Sequence, residues 1–472
     1  MTRCVSHEFN GLSAKSLVAG LNSGQWTSVE LTQYFLGRIC KDDLAVHSVP
    51  FVFEAEALVQ ARESDVRRAA GRPLSSLDGL PMTIKDTLRV KDCPSTYGMW
   101  MFRNYRPQSD CELVDVLRKS GIVFLGRTAV PTGALDWNCK NNVYPECVNP
   151  FDPTRTPGGS SGGAAAALAM GFTPLELGGD TGGSIRYPAH CCGVYGLRTT
   201  DGWLPVGDIG PENYPSGFRQ ILSHGPMARH LEDLDLLLER FALRFLRKEM
   251  AQTFPTGPSL KIAYSLDLLK MSADQVTQNL FTAFLQRVAA AGHTITEAQP
   301  ALNFEDLFRD WGIIAGHEYA RLIPGWIRNG VTTRVYAWWI LDRRLGSGPF
   351  TTYFKAGMLS TEAEYRQACE RRKLIFDEID QFFRTHDLWI LPVAPSSAIP
   401  LSMCGRMIPT PNGLVEYSRY LGSYTIPTTM LGTPALAYPI GSDDAKMPIG
   451  VQIHGPRYAD RWLVQAAARL ER

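Results

Sequence analysis

The sequence of 472 residues predicts a layered α/β protein, and two observations carry that prediction. Helix-like runs hand over to strand-like runs through a glycine, at 111–120 with 122–125 and again at 273–291 with 294–296. Such alternation is the pattern of helices laid against a sheet. Composition is the second: 44% hydrophobic residues against 20% charged can fill a large core, so disorder is not expected.

The elements follow in order. Thr27-Ser28-Val29-Glu30 has the form of a capping box and starts a helix through about Cys40. Residues 53–71 are charged and alanine-rich, a second helix. The apolar run from Leu80 ends at Lys85 and reads as a strand. Ala164 to Met170 continues a glycine-serine stretch with alanines, which favour a helix. Residues 388–391, 436–438 and 449–453 read as strands, and 460–470 as a closing helix. There is no internal repeat and no long low-complexity linker.

Charge and cysteine usage exclude several classes. Lysine and arginine number 48 against 47 acidic residues, which leaves no broad positive field for nucleic acid. Met1 to Glu8 has no apolar run, so no secretory signal is expected. The uncharged spans 156–175 and 420–442 are broken by glycines or prolines, and no membrane span is expected. Ten cysteines include no C-x-x-C pair and no ligand-like histidine spacing. They read as reduced, packed thiols of a cytoplasmic chain without a metal or cofactor.

The chemistry concentrates in Thr156-Pro157-Gly158-Gly159-Ser160-Ser161-Gly162-Gly163. A phosphate loop would need Lys after its last glycine, but Ala164 follows. A nucleophile elbow would need a strand before it, and Pro150, Pro153 and Pro157 remove that strand's donors. A second serine, Ser184, follows paired glycines in Gly178-Gly179-Asp180-Thr181-Gly182-Gly183-Ser184-Ile185-Arg186. Glycines there let backbone N–H groups converge on an oxyanion, which makes Ser184 a candidate nucleophile. Its base could be His190, though the apolar Pro188-Ala189-His190-Cys191 context suits a packed histidine equally well. Lys85 is the other candidate, since a lysine finishing an apolar strand is rarely buried without a reason. A snorkelling lysine paired with Asp86 is the plainer alternative.

Together, Gly79-Leu80-Pro81-Met82-Thr83-Ile84-Lys85-Asp86, Pro157 to Gly163 and Gly179 to Arg186 resemble the amidase signature family in order and spacing. Ser160 follows Lys85 by 75 residues and precedes Ser184 by 24. The resemblance is densest at 80–200, faint at 205–430, and returns at Gly432 to Leu436 and Pro448 to Gly455. It implies one domain over 1–472, an α/β/α fold with a large mixed β-sheet flanked by helices, and a substrate-shaping region at 205–430.

The resemblance also implies roles. Ser184 would attack a carbonyl carbon, and Ser160, after a cis peptide bond, would relay the proton to neutral Lys85. The backbone amides of Thr181, Gly182, Gly183 and Ser184 would hold the oxyanion. Ser161 would support the loop, with Asp180 and Arg186 structural. The expected substrate is a small apolar or aryl amide, with carbamates or esters as further substrates, and the expected assembly is a monomer or homodimer. Trp137, Tyr144, Tyr187, Trp311, Trp326 and Trp338 are the candidate pocket aromatics, and 201–218 the expected excursion over the active-site mouth.

Two alternatives stand beside that expectation. One is the amidotransferase subunit that releases ammonia from glutamine inside a tRNA-dependent complex, against which Gln220-Ile221-Leu222-Ser223-His224-Gly225-Pro226 departs from the subunit's usual turn. The other is a non-catalytic binding protein of the same fold, which loss of Lys85, Ser160 or Ser184 would have signalled.

Overall fold

A computed structural model describes residues 9–206, 210, 212, 218–245, 247–248, 252–322, 345–346 and 348–471. Its first sheet joins β1 (Phe51–Val52), β2 (Pro81–Lys85) and β3 (Val123–Thr128) in the order β1-β3-β2, with β2 parallel to β3. The larger sheet holds β4 (Leu175–Asp180), β5 (Tyr195–Arg198), β6 (Ser223–Ala228), β7 (Lys261–Tyr264), β8 (Thr294–Glu297) and β9 (Leu388–Pro392). A hairpin of β10 (Met407–Thr410) and β11 (Gly413–Glu416) stands apart, and β12 (Ala435–Ser442) and β13 (Pro448–His454) complete the large sheet. Its order is β4-β6-β5-β12-β13-β9-β7-β8. Only the β9-β7-β8 end is parallel among the described pairs, so the sheet is mixed as expected.

The two sheets meet where β2 lies beside β4. Thr83 N donates to Thr173 Oγ1 at 3.0 Å, Thr83 Oγ1 to Glu176 Oε2 at 2.5 Å, and Lys85 Nζ to the Gly179 carbonyl at 3.3 Å. Side chains alternate across a strand, so Thr83 and Lys85 share one face and Asp86 turns to the other. Asp86 is met there by Thr96 and, at 3.7 Å, by Arg127. The expected alternative of a Lys85–Asp86 pair is therefore not what forms.

Helices cover both faces. The helix Ser28–Asp42 starts on the expected capping box, Thr27 accepting from Glu30 N while Glu30 takes the Thr27 amide. Helix Gly162–Met170 carries the alanine run and packs on β2, β3 and β4. The aromatic-rich middle supplies helices Phe304–Arg321 and Pro349–Met358, packed on each other. One buried cluster joins Leu31, Ile84, Phe124 and Leu463, and another joins Ala165, Tyr187, Trp311 and Phe350. Among the described residues, no helix is long and apolar enough to cross a membrane.

Strands β4, β5 and β6 were not expected. Leu-Glu-Leu-Gly-Gly-Asp and Ser-His-Gly-Pro-Met-Ala lack the β-branched and aromatic residues that mark strands. Tertiary contact decides instead. At Gly225 of β6 a Cβ would sit 1.7 Å from the Leu197 carbonyl of β5, so the strands approach only because that residue is glycine.

Candidate active site

Lys85 ends β2 with 2% of its surface exposed. Its Nζ donates to Ser160 Oγ at 2.9 Å and to Ser161 Oγ at 2.8 Å. Burial pulls the ammonium down from 10.5 to about 8, opposed by the nearby Cys139, Asp180 and Glu176. A lysine in that position is neutral often enough near neutral pH to accept a proton.

Ser160 lies in the loop before helix Gly162–Met170, and the Gly159–Ser160 peptide bond is cis. Ser161 N donates to the Ser184 carbonyl at 3.1 Å, which fastens this loop to the one carrying Ser184. Ser161 thus touches both the lysine and the Ser184 turn.

Half-buried Ser184 sits between β4 and the short helix Arg186–Cys192. Asp180, the last residue of β4, shapes that turn by accepting from Gly183 N at 2.7 Å and Ile185 N at 3.1 Å. Arg186 grips the same carboxylate through Nε and Nη2, each at 3.0 Å, and reaches Thr428, Thr429 and Gln452. Burial would raise the Asp180 carboxyl, but Arg186 first, then Arg198 and the Gly183 amide, hold it well below the usual carboxylate range. Every partner position of this buried pair is filled, which is the condition for such a pair to persist.

That geometry corrects one expectation. The Gly183 amide is already donated to Asp180, so of the four N–H groups expected to face an oxyanion, Thr181, Gly182 and Ser184 remain to do so. Gly183 itself adopts φ +115, and a Cβ there would meet Thr425 Oγ1 at 2.5 Å.

Among the candidate aromatics, two belong to the site's surroundings. Trp311 Nε1 donates to the Thr181 carbonyl at 2.6 Å, and its ring faces Gly182, where a Cβ would lie 3.0 Å from Cζ2. Trp137 neighbours Asp136 and Asn138, whose carbonyls crowd Gly159. Phe350 bridges them, 5.2 Å from each ring. Phe350 was missed, although its spacing from Phe354 on one helix face was available as a signal.

Tyr144 and Tyr187 are corrections. The Tyr144 hydroxyl is spent on Val130 and Asp86, at the opposite face of β2. Tyr187 is wholly buried with its ring stacked on His190 at 6.0 Å. His190 is itself a packed residue: Gly450 N donates to its Nδ1 at 2.9 Å, Nε2 reaches the Ser396 carbonyl at 3.0 Å, and burial lowers its proton affinity. Trp326 and Trp338, like much of 201–218, lie outside the described residues.

The family model described as Amidase matches residues 30–464. A glutamyl-tRNA(Gln) amidotransferase protein of Thermobifida fusca, the A-type subunit of that enzyme, is 32% identical over 98% of this chain and 95% of its own. A solved structure titled "Crystal structure of amidase" superposes with a TM-score of 0.81 at 26% identity, covering 98% of this chain and 99% of that one. A bacterial aryl acylamidase structure shares the fold, with a TM-score of 0.81 at 23% identity over 98% of this chain and 96% of that one.

Proposed function

The chain belongs to the Amidase family, and from that premise we propose that it breaks a carboxamide C–N bond through an acyl-enzyme on Ser184. The observation that carries this reading is the contact of buried Lys85 with Ser160 at 2.9 Å, in a loop bonded to the Ser184 turn. Ser184 Oγ attacks the carbonyl carbon as its proton passes through Ser160 to Lys85. The amides of Thr181, Gly182 and Ser184 face the developing oxyanion. The proton returns through Ser160 to the leaving amine, and water then releases the acyl group.

For the substrate, the amidotransferase relatives lend more support to the alternative than to the first expectation. A glutamine-hydrolysing A-type subunit of a tRNA-dependent complex is therefore the better-supported reading. A free-standing hydrolase of small apolar or aryl amides is the second, favoured by the wall of Trp311, Phe350 and Trp137 and by the departing 220–226 turn.

One assay series separates them. The purified chain is given glutamine, anilides, carbamates and esters, first alone and then with amidotransferase partner subunits and tRNA. Ammonia release from glutamine that rises with the partners supports the amidotransferase reading. Anilide cleavage by the chain alone, with glutamine poor in both settings, supports the hydrolase.

A further inference from the structure

Glu176 is a buried acid that the Ser184–Ser160–Lys85 relay does not use. Glu176 lies on β4, four residues before Asp180, and has no exposed surface. Its Oε2 accepts from Thr83 Oγ1 at 2.5 Å and its Oε1 from Leu177 N at 3.1 Å. Thr83 is two residues before Lys85 on β2, so the two share one face of that strand, and the bond from Thr83 brings Glu176 of β4 to the same side.

Helix Gly162–Met170 closes that face. Its buried residues are glycines, alanines and one leucine, Gly162 through Leu168. Small side chains let the helix lie close against β2 and β4. The other buried acids nearby have arginines: Asp180 has Arg186 and Arg198, and Asp86 has Arg127. Glu176 instead has the charge of Lys85 near it, which opposes the effect of burial on its carboxyl.

We propose that Glu176 is a positioning residue of the relay, a buried carboxylate that stabilises the ammonium form of Lys85 each time the lysine holds the Ser184 proton. The inference rests on the Ser184 reading of the function. In acylation the Ser184 Oγ–C bond forms while the Ser184 proton moves to Ser160 and the Ser160 proton to Lys85 Nζ. The carbonyl electron pair goes to its oxygen, and the neutral amine becomes an ammonium. That new charge arises on a lysine with 2% of its surface exposed, where a nearby anion counts for far more than at the surface.

The groups facing Lys85 come from several elements: Ser160 and Ser161 from the loop, Cys139 from the segment after β3, and Glu176 and Asp180 from β4. Thr128 of β3 is its partner in register. Asp180 acts on the lysine as well, but its carboxylate is gripped by Arg186 and lies near Arg198, whereas Glu176 is held by Thr83 and the Leu177 amide. Burial pushes the Glu176 carboxyl up to about 7, against the bonds from Thr83 and Leu177 and the charge of Lys85. Anionic Glu176 raises the proton affinity of Lys85. Its removal must therefore lower that affinity.

The test is the rate at which a serine-directed fluorophosphonate labels Ser184, followed across the neutral and alkaline range. In Glu176→Gln, which preserves size, the acid limb moves to lower pH by roughly one unit, and the plateau rate falls several-fold. Glu176→Asp keeps the charge and returns the limb toward its original position. Should Glu176→Gln fail to fold, Thr83→Val removes a donor to the carboxylate and shifts the limb in the same direction by less. A limb that stays in place or moves upward in a folded variant overturns the proposal. Labelling of Ser184 that Lys85→Ala slows leaves the relay reading standing in that event, whereas absence of labelling in the unaltered protein ends both.

Discussion

Trp311 Nε1 donates to the Thr181 carbonyl at 2.6 Å, which ties helix Phe304–Arg321 of the middle region to the turn that presents Ser184. A helix of the aromatic-rich middle region thus holds the glycine-rich turn in place. Trp311→Phe keeps a ring against Gly182 but loses the bond, and about 1 kcal/mol of stability with it. Trp311→Ala opens a cavity and costs about 3–5 kcal/mol. Urea denaturation reads both, and Trp311→Phe should slow Ser184 labelling several-fold.

Lys85 is expected to set the pH dependence. The lysine must be neutral to accept a proton, and burial brings its ionisation down from 10.5 to about 8. Labelling should therefore rise with pH through a limb near that value, and be slow where the ammonium predominates. A limb in the ordinary lysine range would contradict the burial effect.

Arg186 is expected to matter for folding before it matters for chemistry. Arg186→Met strands the Asp180 carboxylate in the interior and removes the bonds to Thr428, Thr429 and Gln452. Breaking a buried pair from one side costs about 3–5 kcal/mol. Arg186→Lys keeps the charge without the fork and should lie between. Equal denaturation midpoints for Arg186→Met and the unaltered protein would remove the structural role.

The glycines divide the same way. Gly225→Ala places a Cβ 1.7 Å from the Leu197 carbonyl and should prevent folding, seen as insoluble protein. Gly183→Ala meets Thr425 and a positive φ, and a folded fraction should label far more slowly than the unaltered protein. Wild-type labelling in that fraction would mean that the turn tolerates the change.

The contrast between these positions explains what could be read from the sequence. That Lys85, Ser160 and the Ser184 turn come together was expected because each stands in an ordered motif with local glycine or strand context. So were the capped helix at Thr27 and the strands at 388–391 and 449–453, where periodic apolar residues state their own element. Strands β4 and β6 were not, because their glycine-containing sequences become strand only once they pair with each other and β6 with β5. The place of Glu176 was invisible for that reason: it is set by the bond from Thr83, which joins β4 to the strand of Lys85. Tyr144 and Tyr187 misled because nearness in sequence to Lys85 and Ser184 said nothing about which face of the strand or helix they take. The Gly183 amide was misplaced because its capture by Asp180 is a matter of turn geometry.

The most direct test of the account is mass-spectrometric mapping of fluorophosphonate labelling in the unaltered protein, Ser184→Ala, Ser160→Ala and Lys85→Ala. The expected result is an adduct on the peptide containing Ser184, none in Ser184→Ala, and severe slowing in the other two. An adduct that persists at the active site of Ser184→Ala, or full labelling rates without Lys85, would contradict it.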